Sequence, residues 1–427
     1  MRMKFNKSSQ LILVTAASLV AATLVTACSQ LTQTLTVDFV YVATSKAAGA
    51  NNYGEINVFE INSESGRMRQ IPASPFPSAG RNPVAEAVSA DYKNLFVANQ
   101  DDNSIVQFVI GSDGKLYPFD TENTAGIYPL AVAANKTNLF VLDTYQPLPI
   151  CSTADPCSGS IGVFPLTTAT SSTPVKMVTG LPISSCNGLD YVPLALSGAA
   201  ANDIVTPTGL TILANGSALY VSAYDATANT GYVYGFTIGS TPCTINGQSV
   251  NITTLTPVAG PPLPVGIHPS AISSDPSSTY VYVADYAQAH VLGYSVAAGG
   301  VLTAMNGNPF QSGNQPSAIV VDQKYPYVYV TNSLDATVSA YTYSTSSGAL
   351  TSLGTYQTGL QPVAIGIDPS TSHFLYTANF LGNDVTGFEL STTAGTLVSS
   401  QFSPFPSNDQ PTAVAAIPHN GTGAGVQ

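Results

Sequence analysis

Pro316-Ser-Ala-Ile-Val-Val-Asp-Gln-Lys-Tyr-Pro-Tyr-Val-Tyr-Val-Thr-Asn332 is the stretch whose repetition decides the fold. It opens on a proline, with a small residue two positions on and an aliphatic residue three positions on. It closes on Tyr327 to Asn332, where β-branched and aromatic residues alternate as in a strand. The opening proline recurs at Pro83, Pro129, Pro207, Pro269, Pro316, Pro362 and Pro411, at intervals of 46, 78, 62, 47, 46 and 49 residues. A fixed period of this kind means that each unit cannot bury its apolar faces alone and must stack on its neighbours.

Working outward from Pro316, Ser317 to Asp322, Tyr327 to Thr331, Thr337 to Tyr343 and the weaker run Leu350 to Gln357 read as four short antiparallel strands. Turn residues such as Ser344 to Gly348 separate them. No stretch beyond the first 28 residues has helical periodicity. A unit of 46 to 49 residues with four strands is the size of a propeller blade. There are seven second strands and seven third strands, but only six first strands between Pro83 and Asp368. The seventh first strand, Pro411 to Ile417, follows the last complete unit, and the chain enters the repeats directly on a second strand. The C-terminal strand is therefore expected to complete the first blade. The fold class is all-β, a closed seven-bladed β-propeller without an open sheet edge.

The repeat, with Tyr-Val-Thr-Asn ending the second strand at Asn332, resembles the lactonase-like, YVTN-repeat superfamily over about residues 36 to 418. That superfamily includes bacterial 6-phosphogluconolactonases and many secreted repeat proteins. The resemblance implies ligand binding on the face shared by two sets of loops. One set leads from each fourth strand into the next first strand, and the other joins second to third strands. The lead-in loops carry Arg81, Asn82, Tyr128, His268, Gln315 and Gln361. The second-to-third loops add Asp101, Asp102, Tyr145, Tyr224, Asp225, Asp285, Tyr286, Asp335, Phe380 and Asp384. Such a rim suits a neutral carbohydrate, a peptide or a cation better than a phosphate.

One residue breaks its column. Three positions after the prolines stand Glu86, Val132, Leu210, Ile272, Ile319, Ile365 and Val414. A carboxylate at a core position must find a partner, reach the channel or take up a proton. It is either a structural Glu or a functional acid or base. A lactonase needs a base to activate water and donors for the developing oxyanion. The candidates are Glu86, Arg81 and His268, with His268 also able to serve as packing beside Pro269. Asn99, Asp143, Asp285, Asn332 and Asn379 end their second strands and are expected to bond the backbone of the following turn. No motif for a cofactor or a metal centre is present, and no zinc spacing accompanies the cysteines.

The first 28 residues read as an export signal: Arg2, Lys4 and Lys7, then the apolar run Leu11 to Val25, then Val25-Thr26-Ala27-Cys28. The last four resemble a bacterial lipoprotein cleavage box, which implies an acylated Cys28. Residues 29–35 then form a short tether, 36–418 the propeller and 419–427 a disordered tail. Ser29 after the cysteine favours outer-membrane sorting, facing either the periplasm or the exterior. Three of the twelve basic residues and no acid fall in the signal, leaving nine Lys/Arg against 24 Asp/Glu, a formal charge of −15. Nucleic acid is excluded as a partner by the lack of a basic patch. A monomer is expected. Cys151, Cys157, Cys186 and Cys243 all lie in the two longest repeats. In an exported protein they allow three connectivities, of which Cys151–Cys157 and Cys186–Cys243 pin both insertions. The larger loop is worth ~4 kcal/mol in the chain-entropy model.

Overall fold

The structure, a computed structural model, describes residues 35–147, 157–167, 175–177, 191–194, 204–245 and 248–419. Seven antiparallel sheets of four or five strands follow one another along the chain. In blade 6, Pro316–Val321 is innermost, followed outward by Tyr327–Asn332, Thr337–Tyr343 and Leu350–Gln357. These are the runs read from the sequence. Blade 1 is assembled from both ends of the propeller: Pro411–Pro418 pairs antiparallel with Thr36–Ala48, with Val42 opposite Val414 and Phe39 opposite Ile417. The ring is thus closed as the strand count required.

Burial follows position in the blade. Every residue of Tyr327–Asn332 is buried, because a second strand packs on a neighbouring blade across each face. In the outermost Leu350–Gln357 only Leu350 is buried, and the rest are exposed or half-buried. Tyr280 and Tyr282 of blade 5 meet Val328, Val330 and Tyr341 of blade 6 in one apolar cluster. Similar clusters fill the other blade interfaces. Each large side chain so buried contributes about 1.5–3 kcal/mol.

The tyrosine at the third place of the second strand also reaches across to the next blade. Tyr41, Tyr220, Tyr282 and Tyr329 donate their hydroxyls to the carbonyls of Gly114, Gly300, Gly348 and Gly395. Gly348 has φ +73°, and a Cβ there would lie 2.6 Å from the Tyr280 ring, so only glycine lets this turn approach so closely. Near the channel, Ser270, Ser317 and Thr412 donate to the carbonyls of Pro316, Pro362 and Pro83, clasping blade 5 to 6, 6 to 7 and 1 to 2.

The outer strands differ from the single run expected. In blades 1, 5 and 7 they split into Met68–Gln70 with Phe76–Pro77, Leu302–Ala304 with Phe310–Gln311, and Leu397–Ser399 with Phe405–Pro406. Pro75, Pro309 and Pro404 lie in the breaks and lack the amide a continuous ladder needs. Residues 1–34, with Cys28, and most of the tail lie outside the described residues. No helix among the described residues is long and apolar enough to cross a membrane. Cys157 and Cys243 are disulfide-bonded, while Cys151 and Cys186 lie outside the described residues.

Candidate ligand site at the channel mouth

The two sets of loops named from the sequence do share one face, because they bond each other within each blade. Arg81 binds Asp102 through its backbone N–H at 2.7 Å and its Nε at 2.6 Å. Asn314 donates to Asp335 from both its backbone and side chain, at 2.7 and 3.0 Å. Tyr286 N–H donates to the His268 carbonyl, and Phe380 N–H to that of Gln361. The strand-end residues hold the same lead-in loops. Asp143 accepts from Gly126, Asn332 from Gly313, and Asp285 from Ile267 and His268. Asp285 also caps Ala287 and Gln288, so the expected bond to the following turn is only part of its work.

This clamping fixes an unusual backbone. The residue before each opening proline is normally extended, since proline crowds the helical regions. Here Asn82, Tyr128, Gln315, Gln361 and Gln410 all have φ between 52° and 60°. Left-handed backbone costs a non-glycine residue about 1–2 kcal/mol. Asn103 Oδ1 accepts Tyr128 N–H at 2.7 Å and Asn383 Oδ1 accepts Gln410 N–H at 2.9 Å, which hold two of them in place.

Around the mouth these positions fall into two arcs. Blades 6, 7, 1 and 2 present Gln315, Gln361, Gln410 and Asn82, four neutral amides in succession. Blades 3 to 5 present Tyr128, Thr206 and His268. Tyr128 is 45% exposed and meets the Tyr145 ring edge-on at 6.1 Å. His268 stacks on Tyr224 at 4.3 Å and leans on Tyr286 at 5.5 Å. Burial lowers the His268 pKa, with the Asp285 charge pulling the other way. Gln410 was missed in the sequence; its place before Pro411 was the available signal.

The acids of the rim are taken up in structure. Asp225 is buried and caps Thr227 and Ala228. Bonds from Asn314 lower the Asp335 pKa, whereas burial raises that of Asp384, against the bond from Asn379. The cations are engaged as well: Arg81 with Asp102, and Lys46 of blade 1 with Asp409.

Glu86, Arg81 and His268 stand apart: Arg81 pairs with Asp102 and His268 stacks on Tyr224, while the Glu86 carboxyl has no partner. In blade 6 the Glu86 position is Ile319, which packs toward blade 5, and in blade 5 it is Ile272, which packs toward blade 4. Glu86 accordingly turns toward blade 1. Burial, and then the Glu86 charge, push the Tyr41 phenol of that blade upward. Neither Glu86 carboxyl oxygen touches solvent or has a hydrogen-bond partner, although the residue itself is only partly buried. Desolvation holds its pKa well above the usual range, and both carboxyl oxygens are sealed in a blade interface. Arg81 faces Asp102 instead, and His268 leads into blade 5, three blades round the ring. No group of three or more His, Cys, Asp or Glu among the described residues is placed to hold a metal.

Comparison with known proteins agrees with this architecture. The sequence profile of the family described as Lactonase, 7-bladed beta-propeller matches residues 32–147 and 301–415, more than half the chain. A candidate 6-phosphogluconolactonase of Bacteroides fragilis superposes with a TM-score of 0.62 at 18% identity, over 90% of this chain and 98% of that one. The periplasmic gluconolactonase of Pseudomonas aeruginosa gives 0.63 at 15% identity, over 89% and 99%. At these identities the likeness is one of fold. No curated protein matches by sequence. The repeat, the closed ring of seven four-stranded blades and the family match lead to one conclusion: the chain belongs to the lactonase family of seven-bladed β-propellers.

Proposed function

We propose that this protein is an exported, monomeric propeller of the cell envelope, tethered by lipid at Cys28, that binds a neutral, polyhydroxylated ligand at the channel mouth. The observation that carries the reading is the mouth itself. Gln315 and Gln361 supply donors and acceptors for hydroxyls, flanked by Asn82, whose Nδ2 is taken by Gln100 and Asp101, and by Gln410, whose Oε1 accepts from Ser45; the opposite arc supplies ring faces for a sugar's C–H surface. A phosphorylated ligand would need free cations, and Arg81 and Lys46 are already paired. The preset left-handed residues reduce the ordering cost of binding.

A second reading, opening of a sugar lactone, is favoured by His268. Its lowered pKa keeps the imidazole neutral at pH 7 and able to accept a proton from water, and Asp285 fixes its backbone. The gluconolactonase named above acts on an unphosphorylated lactone by its description, which suits an extracytoplasmic setting. Calorimetric titration of the full chain with D-gluconate and with neutral oligosaccharides, alongside a pH-stat assay on D-glucono-1,5-lactone, tests both. Binding that is lost in Tyr128→Ala supports the first reading. Turnover that is lost in His268→Gln while binding persists supports the second. Neither binding nor turnover across such a panel refutes the site.

A further inference from the structure

The blades differ in what covers the outer edge of the third strand. In blade 5, Asn308 Oδ1 accepts the Gly293 N–H at 2.8 Å, and two residues later the Phe310 ring lies over that glycine, 3.1 Å from where a Cβ would stand. Blade 7 repeats the device. Ser403 Oγ accepts the Gly387 N–H at 3.0 Å, and Phe405 lies 3.2 Å from the missing Cβ. In blade 1, Ser74 Oγ accepts the Val58 N–H at 2.9 Å, with Phe76 two residues on. In these blades the chain supplies its own plug: a hydrogen-bond acceptor followed by an aromatic ring.

Blade 4 has the same frame without the plug. Gly235 lies opposite Tyr220 as Gly293 lies opposite Tyr282, and Leu263 pairs with Val233 as Phe310 pairs with Val291. The position two before Leu263 is Pro261, whose side chain has no acceptor to offer. Val258 N–H bonds the Gly235 carbonyl, which turns that residue's amide toward the same side. A cavity of about 350 Å³ opens there, lined by Tyr220, Gly235, Val258, Leu263, Gly300 and Leu302. Its size is that of a small-ligand pocket. The Tyr220 hydroxyl is already bonded to the Gly300 carbonyl, which leaves the Gly235 amide as the polar anchor.

We infer that the blade 4 cavity is a binding site for a compact aromatic molecule carrying a carbonyl beside its ring. The ring takes the place that Phe310 fills in blade 5, and the carbonyl oxygen accepts the Gly235 N–H as Asn308 Oδ1 accepts that of Gly293. The site lies on the flank of the ring and is independent of the mouth.

The test is a ¹⁹F NMR titration of the full chain with 4-fluoroacetophenone. Saturable binding is expected. Leu263→Phe, which restores the ring the other blades carry, should weaken it about tenfold or more by filling the cavity. 1-Ethyl-4-fluorobenzene, which lacks the carbonyl, should bind the unaltered chain about fivefold more weakly, the worth of one hydrogen bond. Absence of saturable binding, equal binding by a folded Leu263→Phe, or equal binding of the carbonyl-free analogue would each overturn the inference. Should Leu263→Phe not fold, the analogue comparison decides alone.

Discussion

Replacing Glu86 by leucine should stabilise the protein, and the gain should grow with pH. The carboxyl stands where other blades place Val132, Leu210, Ile272, Ile319, Ile365 and Val414, and neither oxygen has a partner. Removing an unsatisfied buried polar group recovers about 1–3 kcal/mol. Burying a leucine adds about 1.5–3 kcal/mol, less about 1 kcal/mol for imperfect fit. The net is about 3 kcal/mol. With an unfolding entropy of about 2.1 cal/mol/K per residue over roughly 380 residues, that corresponds to about 4 °C in Tm. The pH dependence has a fixed sign. A carboxyl whose folded pKa lies above its unfolded value of 4.5 binds its proton more tightly when folded. Its stabilising contribution is therefore complete below that unfolded value and is lost as pH rises through the folded one. Scanning calorimetry at intervals from pH 5 to 8 should show the wild type losing stability more steeply than Glu86→Leu. A variant that melts lower than wild type at every pH, or with the same slope, refutes the reasoning. Ligand binding at the mouth should be unchanged, since the carboxyl does not reach it.

Asp143 extends the same logic: burial raises its pKa from 3.8 to about 7, against the bonds from Gly126 and Thr124. Asp143→Asn, the residue found at this strand end in blades 2, 6 and 7, should match wild type near pH 4 and exceed it at pH 8 by up to about 4 kcal/mol. Chemical denaturation at both pH values checks this, and equal stability at pH 8 contradicts it. Deleting residues from Pro411 onward removes the inner strand of blade 1 and exposes the edge of Thr36–Ala48. The truncated chain should aggregate or melt far lower in size-exclusion and melting assays, and a monomer of unchanged Tm would count against closure as a main support. Cys28→Ser should shift the protein from the membrane to the soluble fraction of fractionated cells; an unchanged distribution would end the lipid-anchor proposal.

The architecture was legible because blade strands are set by local chemistry. Tyr-Val-Tyr-Val at Tyr327 needs two apolar faces, and Pro316 marks a fixed place in the turn, so periodicity alone gives both strand count and closure. The site was legible only as a set of positions. Glu86 could be singled out as a break in its column, but its five-residue distance from Arg81 says nothing of direction. The pleat sends the carboxyl into the blade 1 interface, while Asp102 draws the guanidinium outward. The left-handed residues before the prolines had no local signal at all, because distant acceptors such as Asn103 Oδ1 impose them.

The family match runs over residues 32–147 and 301–415, that is, over the blades whose lead-in residues are mostly amides. His268 with Tyr224 and Tyr286, the four cysteines of the insertions and, Val301 and Leu302 apart, the lining of the blade 4 cavity lie between those two stretches. The matched stretches thus hold the frame, the amide arc and Tyr128 and Tyr145 of blade 3. On the proposed reading, ligand choice would rest on the arc of blades 3 to 5, where Tyr128, Tyr145 and His268 present ring faces; of these, His268 lies outside the matched stretches. Substitutions in those blades should change ligand choice, whereas substitutions of Gln315 or Gln361 should weaken all hydroxyl-bearing ligands together.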